Sequence, residues 1–216
     1  MNLSQNMQDY LKAIYQSGTD GSATTTDIAA RLGVSPASVT SMMKKLAELR
    51  LVEHRSYHGV RLTHAGRKIA LEVLRHHRLI ETYLAEALGF DWTEVHDEAE
   101  RLEHHISEAF EDRIAELLGD PHYDPHGDPI PTKDGKVPPT PTDQLADTDV
   151  GDNVVVRRVN SHDASILRLL SSAGIGIGSA LRVMARDDVG NTITVRHQRT
   201  NVDLSLVICR HIFVER

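Results

Sequence analysis

The chain has 216 residues, 40% of them apolar and 25% charged, a balance that supports a packed core and excludes disorder throughout. Its longest uncharged stretch, Leu169 to Leu181, is interrupted by three glycines and is shorter than the roughly 18 to 20 residues of a membrane span, so no bilayer crossing is expected. A single cysteine, Cys209, excludes an internal disulfide framework, and the polar opening Met1–Gln8 shows no export leader, so a reducing, cytoplasmic setting is expected.

The net charge of -7 is unevenly divided along the chain. Residues 1–75 sum to +4, residues 76–120 to -10, residues 121–150 to -4 and residues 151–216 to +3. A basic leading segment followed by a dense acidic one suggests a polyanion-binding module joined to a part that collects cations, although solvated helix faces give the same pattern.

In chain order, Met7, Tyr10, Leu11 and Ile14 recur at helical spacing and predict a first helix over about residues 4–17, stopped by Gly18. Thr24–Thr26 caps a short helix, Asp27–Leu32, and Gly33 supplies its left-handed terminator. Ser35 is the N-cap and Pro36 the first residue of a third helix reaching about Leu49, so the pair forms a helix-turn-helix. Leu51–Glu53 and Val60–Leu62 can pair around the tip Ser56-Tyr57-His58-Gly59 as a small wing. Thr63 then caps a long helix through about Ala87. One last helix is expected from Asp91 or Thr93 to Leu118, with Val95, Ala99, Leu102, Ile106, Phe110, Ile114 and Leu117 as its apolar stripe. Seven of the eight prolines lie between Pro121 and Pro141, so residues 121–149 read as a linker or long loop. Beyond it, Asn153–Val159, Ala180–Ala185, Thr192–Val195 and Val207–Val214 read as strands of a small β module.

The third helix suits a DNA major groove, where small polar and methyl-bearing side chains approach base edges and flanking cations neutralise phosphates. Ser35, Pro36, Ala37, Ser38, Thr40 and Ser41 form the candidate contact face, with Lys44 and Lys45 one turn on. Val39, Met42, Met43, Leu46 and Leu49 are left for the core. Tyr57 and His58 at the wing tip are candidates for an adjoining groove or backbone. A serine-rich helix start is also ordinary capping chemistry; the ordered set of turn, helix and wing is what favours DNA. Winged helices also serve as protein-interaction modules.

Histidines and carboxylates concentrate on the two helices after the wing. His77 and Glu81 are four apart; His96 and Glu100 are four apart, with Glu103 three further and His104 four beyond Glu100. Such spacings place each set on one helix face. Opposed faces of this kind gather imidazoles and carboxylates whose mutual repulsion a divalent cation relieves. Oxygen- and nitrogen-rich sets without thiolate suit Mn(II) or Fe(II). His76 and His105 fall off these faces, and Asp9 by pattern alone is a plain solvent-facing helix residue.

Five ordered blocks carry a family resemblance: Asp9-Tyr10-Leu11 with Ile14-Tyr15; Leu62-Thr63-His64-Ala65-Gly66-Arg67; His77-Arg78-Leu79 with Glu81; Val95-His96-Asp97-Glu98-Ala99 with Glu103-His104; and His126-Gly127-Asp128-Pro129-Ile130-Pro131. Over nearly the whole chain the sequence resembles the diphtheria toxin repressor family of metal-dependent transcriptional regulators, of the manganese transport regulator type. The resemblance implies a mainly α fold with a small β domain. Its parts would be a winged helix-turn-helix DNA-binding domain over residues 1–73, a helical dimerisation and metal-binding domain with its Pro-rich connection over 74–141, and an SH3-like β-barrel over 142–216. It also implies a primary metal site of Asp9, Glu100, Glu103 and His104, and an ancillary one of His77, Glu81 and His96. Iron-sensing members have methionine at the position of Asp9 and cysteine at that of Glu100, so the two carboxylates here point to manganese. Lys12 stands where some manganese sensors without the third domain have glutamate, which argues against their two-metal cluster. Around Asn160 to Ala164 the alignment to the iron sensors' extra ligands is ambiguous, and His162 or Asp163 is a candidate substitute.

The expected function is therefore a Mn(II)-dependent repressor that binds double-stranded operator DNA as a metallated homodimer and controls metal-uptake genes. Fe(II), Co(II) or another divalent transition metal is an alternative cofactor. No membrane partner, no small-molecule substrate and no enzymatic activity are expected. The rival readings are an Fe(II)-dependent repressor of the same fold and a metalloenzyme on the His/Glu cluster. The chain has neither an H-E-x-x-H motif nor a Glu-x-x-His pair of the di-iron kind in this region to support the latter.

Overall fold

The computed structural model describes residues 3–18, 22–55, 59–160 and 163–216. The chain forms two compact units, one of Met1–His77, Glu103–Ile106 and Pro131–Lys136, the other of Arg78–Leu102, Ser107–Ile130 and Val137–Arg216.

In the first unit, helix α1 (Gln5–Ser17) begins where the Ser4 hydroxyl accepts the Met7 N–H. Helix α2 (Thr25–Leu32) begins where Thr24 accepts from Asp27, and Gly33, at φ 63°, closes it in the left-handed conformation. Helix α3 (Pro36–Glu48) starts from the Ser35 cap with Pro36 in its first turn. Strands β1 (Val52–Arg55) and β2 (Gly59–Leu62) pair antiparallel, Val52 opposite Leu62. Gly59 has φ +81°, and a Cβ there would lie 2.2 Å from the Ala23 carbonyl oxygen. Only glycine lets β2 approach Ala23 closely enough for the bridge that Ala23 makes with Val60. Leu11, Ile14, Ile28, Val39, Leu46 and Val60 fill the core of this winged helix-turn-helix. The wing tip residues Ser56, Tyr57 and His58 lie outside the described residues.

Helix α4 (His64–Glu86) runs from the first unit into the second. The expected single last helix is two: α5 (Val95–Leu102) and α6 (Glu108–Leu117). The break is at Glu103–Ser107, where the Ser107 hydroxyl accepts the Phe110 N–H and starts α6 afresh. Capping thus overrides a continuous apolar period, and the stripe is divided accordingly: Val95, Ala99 and Ile114 are buried, whereas Leu102, Phe110 and Leu117 are exposed.

The proline-rich stretch is short of regular structure, as expected, but it is not a solvated spacer. Residues 126–130 are buried, and Ile130 packs with Leu79, Ile114 and Ala115. After a 3-10 turn at Leu145–Asp147, the second unit carries β3 (Asn153–Val159), α7 (Ala164–Ser172), β4 (Ala180–Asp187), β5 (Thr192–His197), β6 (Thr200–Ser205), α8 (Leu206–Cys209) and β7 (Ile212–Glu215). The strands form an antiparallel sheet in the order β6-β5-β4-β3-β7, with bulges at Val156/Arg158 and Val183/Ala185. Bulges bend strands and raise their twist, as an SH3-like fold requires. The strand expected over Val207–Val214 is corrected: Ser205 caps a helical turn at its start, and only Ile212 onward is extended. Helix α7 and strand β6 lay in segments that the hydrophobic pattern had not assigned. Among the described residues no helix is long and apolar enough to cross a membrane.

Candidate metal centre and nucleic-acid interface

In the first unit, three of the four primary-site candidates meet. Asp9 comes from α1, and Glu103 and His104 from the turn after α5, so the interruption of the last helix is what aims them. His104 Nε2 is 2.7 Å from Asp9 Oδ1 and 3.2 Å from Glu103 Oε1, while its Nδ1 is 2.6 Å from Gln8 Oε1. Each ring nitrogen thus faces an acceptor, which calls for a proton on both and makes the ring an imidazolium. Burial alone would lower the His104 pKa, but the hydrogen bonds from Asp9 and Glu103 and their charges raise it to about 9.

Glu103 is the hub. Lys12 Nζ donates to its Oε1 at 2.6 Å, and His77 Nδ1 lies 2.6 Å from its Oε2. Burial opposes its charge, yet the hydrogen bonds of His104 and His77 and the Lys12 ammonium win and hold this carboxyl well below the usual range. Asp9, Glu103 and His104 offer donor atoms within 4.8 Å of one another. Oxygen and imidazole donors without sulfur suit a hard or borderline divalent ion. The only thiol, Cys209, is buried in the sheet core and pushed up to about 11 by that burial. Sequence periodicity gave no weight to Asp9 and assigned Lys12 no contact; both act across more than ninety positions of chain.

The remaining candidates are placed as follows. Glu100 is exposed on α5, one turn from His96. In the second unit His96 Nδ1 is 3.2 Å from Glu81 Oε1. Glu81 is buried, and its other oxygen faces His126 from the proline-rich loop at 3.9 Å. Asp124, beside them, is pushed well above the usual carboxylate range by burial and by the charges of Glu81 and Asp128, with Arg78 opposing. Asp163 is the N-cap of α7, its carboxylate accepting the Ser165 N–H, and that hydrogen bond holds its pKa low. His162 lies outside the described residues.

On α3 the face expected to read DNA is the exposed one. Ser35, Pro36, Ala37, Ser38, Thr40, Ser41, Lys44 and Lys45 are all exposed, while Val39, Met43 and Leu46 are buried. The Thr40 hydroxyl donates to the Pro36 carbonyl, a local bond that orients its side chain on the helix.

Comparison with known proteins agrees with this arrangement along the chain. Residues 2–60 match the family model of the iron dependent repressor N-terminal DNA-binding domain, residues 63–132 that of the iron dependent repressor metal binding and dimerisation domain, and residues 144–216 that of the FeoA domain. The chain is 31% identical to the diphtheria toxin repressor of Corynebacterium diphtheriae, covering 90% of each. It is 37% identical over 113 residues to the HTH-type transcriptional regulator MntR of Bacillus pumilus, covering 52% of this chain and 78% of that one. A solved structure described as a manganese-dependent transcriptional repressor in complex with manganese superposes with a TM-score of 0.88 at 43% identity, over 96% of this chain and 98% of that one.

Proposed function

The chain belongs to the iron-dependent, diphtheria toxin repressor family, and we propose that it is a Mn(II)-dependent transcriptional repressor that binds operator DNA as a metallated homodimer in the cytoplasm and controls metal-uptake genes. The observation that carries this reading is the meeting of Asp9 with Glu103 and His104, three hard or borderline donors from distant parts of the chain. Asp9, Glu100, Glu103 and His104 are the proposed primary ligands, and His77, Glu81 and His96 the proposed ancillary ones. The ion supplies a dipositive charge that replaces the Nε2 proton of His104.

Everything else is the work of the chain. Helix α1 packs against α2 and α3, so a ligand on α1 is rigidly coupled to the reading helix. Fixing Asp9 against the Glu103–His104 turn selects one orientation of that unit from those open to the metal-free chain. In a symmetric dimer the useful orientation sets the two reading helices one DNA turn, roughly 34 Å, apart. Tenfold tighter operator binding needs only about 1.4 kcal/mol of such coupling. In this reading Ser35 to Ser41 face base edges, Lys44 and Lys45 neutralise phosphates, Tyr57 and His58 carry the wing, and residues 1–73, 74–141 and 142–216 are the three domains.

Titrating operator binding against free Mn(II) tests the proposal. Affinity rising at least tenfold with metal is expected; equal affinity with metal and with chelator would refute it.

A further inference from the structure

The loop after α6 turns a second group of donors inward. Asp124 and His126 are 6% and 0% exposed, and Glu81 of α4 is 1% exposed. His126 Nε2 lies 2.8 Å from the Trp92 carbonyl oxygen. A carbonyl only accepts, so Nε2 carries the proton, and in the neutral ring Nδ1 presents its lone pair. That lone pair faces Glu81 Oε2 and Asp124 Oδ1, each 3.9 Å away.

Three electron-pair donors therefore converge at a spacing too long for hydrogen bonds. The spacing is within the span of donors on one ion, whose nitrogen and oxygen ligands sit about 2.0 to 2.2 Å from it. The surroundings hold these donors in place. Trp92 stacks on the His126 ring with centroids 5.8 Å apart, and the backbone N–H groups of His126 and Asp128 fix Asp124 at 2.8 and 3.0 Å. A ligating imidazole whose other nitrogen donates to a backbone carbonyl is the usual outer support of a metal site. The Arg158 guanidinium is taken by Asp128 at 2.6 Å, and Arg78 is shared between Asp124 and Asp128 at 3.6 and 3.7 Å. These two cations face three carboxylates.

We propose that Glu81, Asp124 and His126 bind a further divalent transition-metal ion, in a buried pocket separate from the Asp9–Glu103–His104 centre. Glu81 Oε1 faces His96 Nδ1 at 3.2 Å while Oε2 faces His126, so this carboxylate links the pocket to the proposed ancillary ligands. The ion turns a buried convergence of acceptors into a cross-link between α4 and the proline-rich loop.

The test counts metal. Full-length wild type, His126→Phe and Asp124→Asn, each alone and combined with Glu103→Gln, are dialysed against Mn(II) and, separately, Co(II), and bound metal per chain is measured by mass spectrometry. Each loop substitution is expected to remove one equivalent in both backgrounds. Unchanged equivalents in folded His126→Phe and Asp124→Asn overturn the pocket, and leave the Asp9 centre standing if Glu103→Gln still removes its own. Should either variant fail to fold, wild-type crystals soaked in Mn(II) decide. An anomalous peak among Glu81, Asp124 and His126 supports the assignment, and no peak there overturns it.

Discussion

The proton on His104 is the competitor that any ion at Asp9 has to displace, and the competition can be measured. With its pKa raised to about 9, the ring is about 99% protonated at pH 7, and removing that proton costs about 2.7 kcal/mol. Apparent Mn(II) affinity should climb close to tenfold per pH unit from pH 6.5 to 8.5, whereas a histidine at its ordinary 6.5 would already level off. The sign for the metal-free fold is opposite. A folded-state pKa raised above the unfolded value stabilises the fold fully below pH 6.5, by about 3 kcal/mol, and that stability fades as pH rises through about 9. Alkaline conditions thus loosen the metal-free protein while tightening the metal complex. Calorimetric Mn(II) titrations at pH 6.5, 7.5 and 8.5, in buffers of different ionisation heat, report both the affinity and the protons released. Close to one proton released per ion at pH 7 is expected from this centre. A flat affinity across that range, with no buffer-dependent heat, would show that His104 is neutral or is not a ligand.

Glu103→Gln removes the charge that holds Lys12, His77 and His104, so metal-free stability should fall by about 3 to 5 kcal/mol in urea unfolding, and Mn(II) should no longer tighten operator binding. A loss below about 1 kcal/mol would mean that the hub is a surface-like pair. Lys44→Ala and Lys45→Ala should each weaken binding to all DNA sequences alike and lower the salt-dependence slope by about 1, as measured by fluorescence anisotropy at several salt concentrations. An unchanged slope would take these lysines off the phosphates. The double substitution Asp9→Met/Glu100→Cys should move metal preference in operator binding from Mn(II) toward Fe(II), because softer donors replace hard ones; an unmoved preference would refute the selectivity argument.

Sequence by itself determined the DNA-reading half because its signals are local. Ser35, Pro36 and Gly33 act within one helical turn of their own positions, and the burial of Val39, Met43 and Leu46 beneath exposed Ser38 and Thr40 follows from the 3.6-residue period. Local capping also lay behind the break in the last helix, but the steady apolar spacing across Ile106 and Phe110 hid the Ser107 cap. The same spacing had put Glu103 and His104 on a helical face, when a turn aims them. Tertiary structure alone decided which charges meet. Lys12 on Glu103 and Glu81 opposite His126 are pairs separated by 91 and 45 positions. No periodicity links a helix residue to a loop residue at that distance. What brings them together is core packing, with Ile130 buried against Leu79, Ile114 and Ala115 drawing the proline-rich loop onto the helices. Hydrophobic burial is non-directional, so it carries charged neighbours into contact that the one-dimensional pattern does not encode.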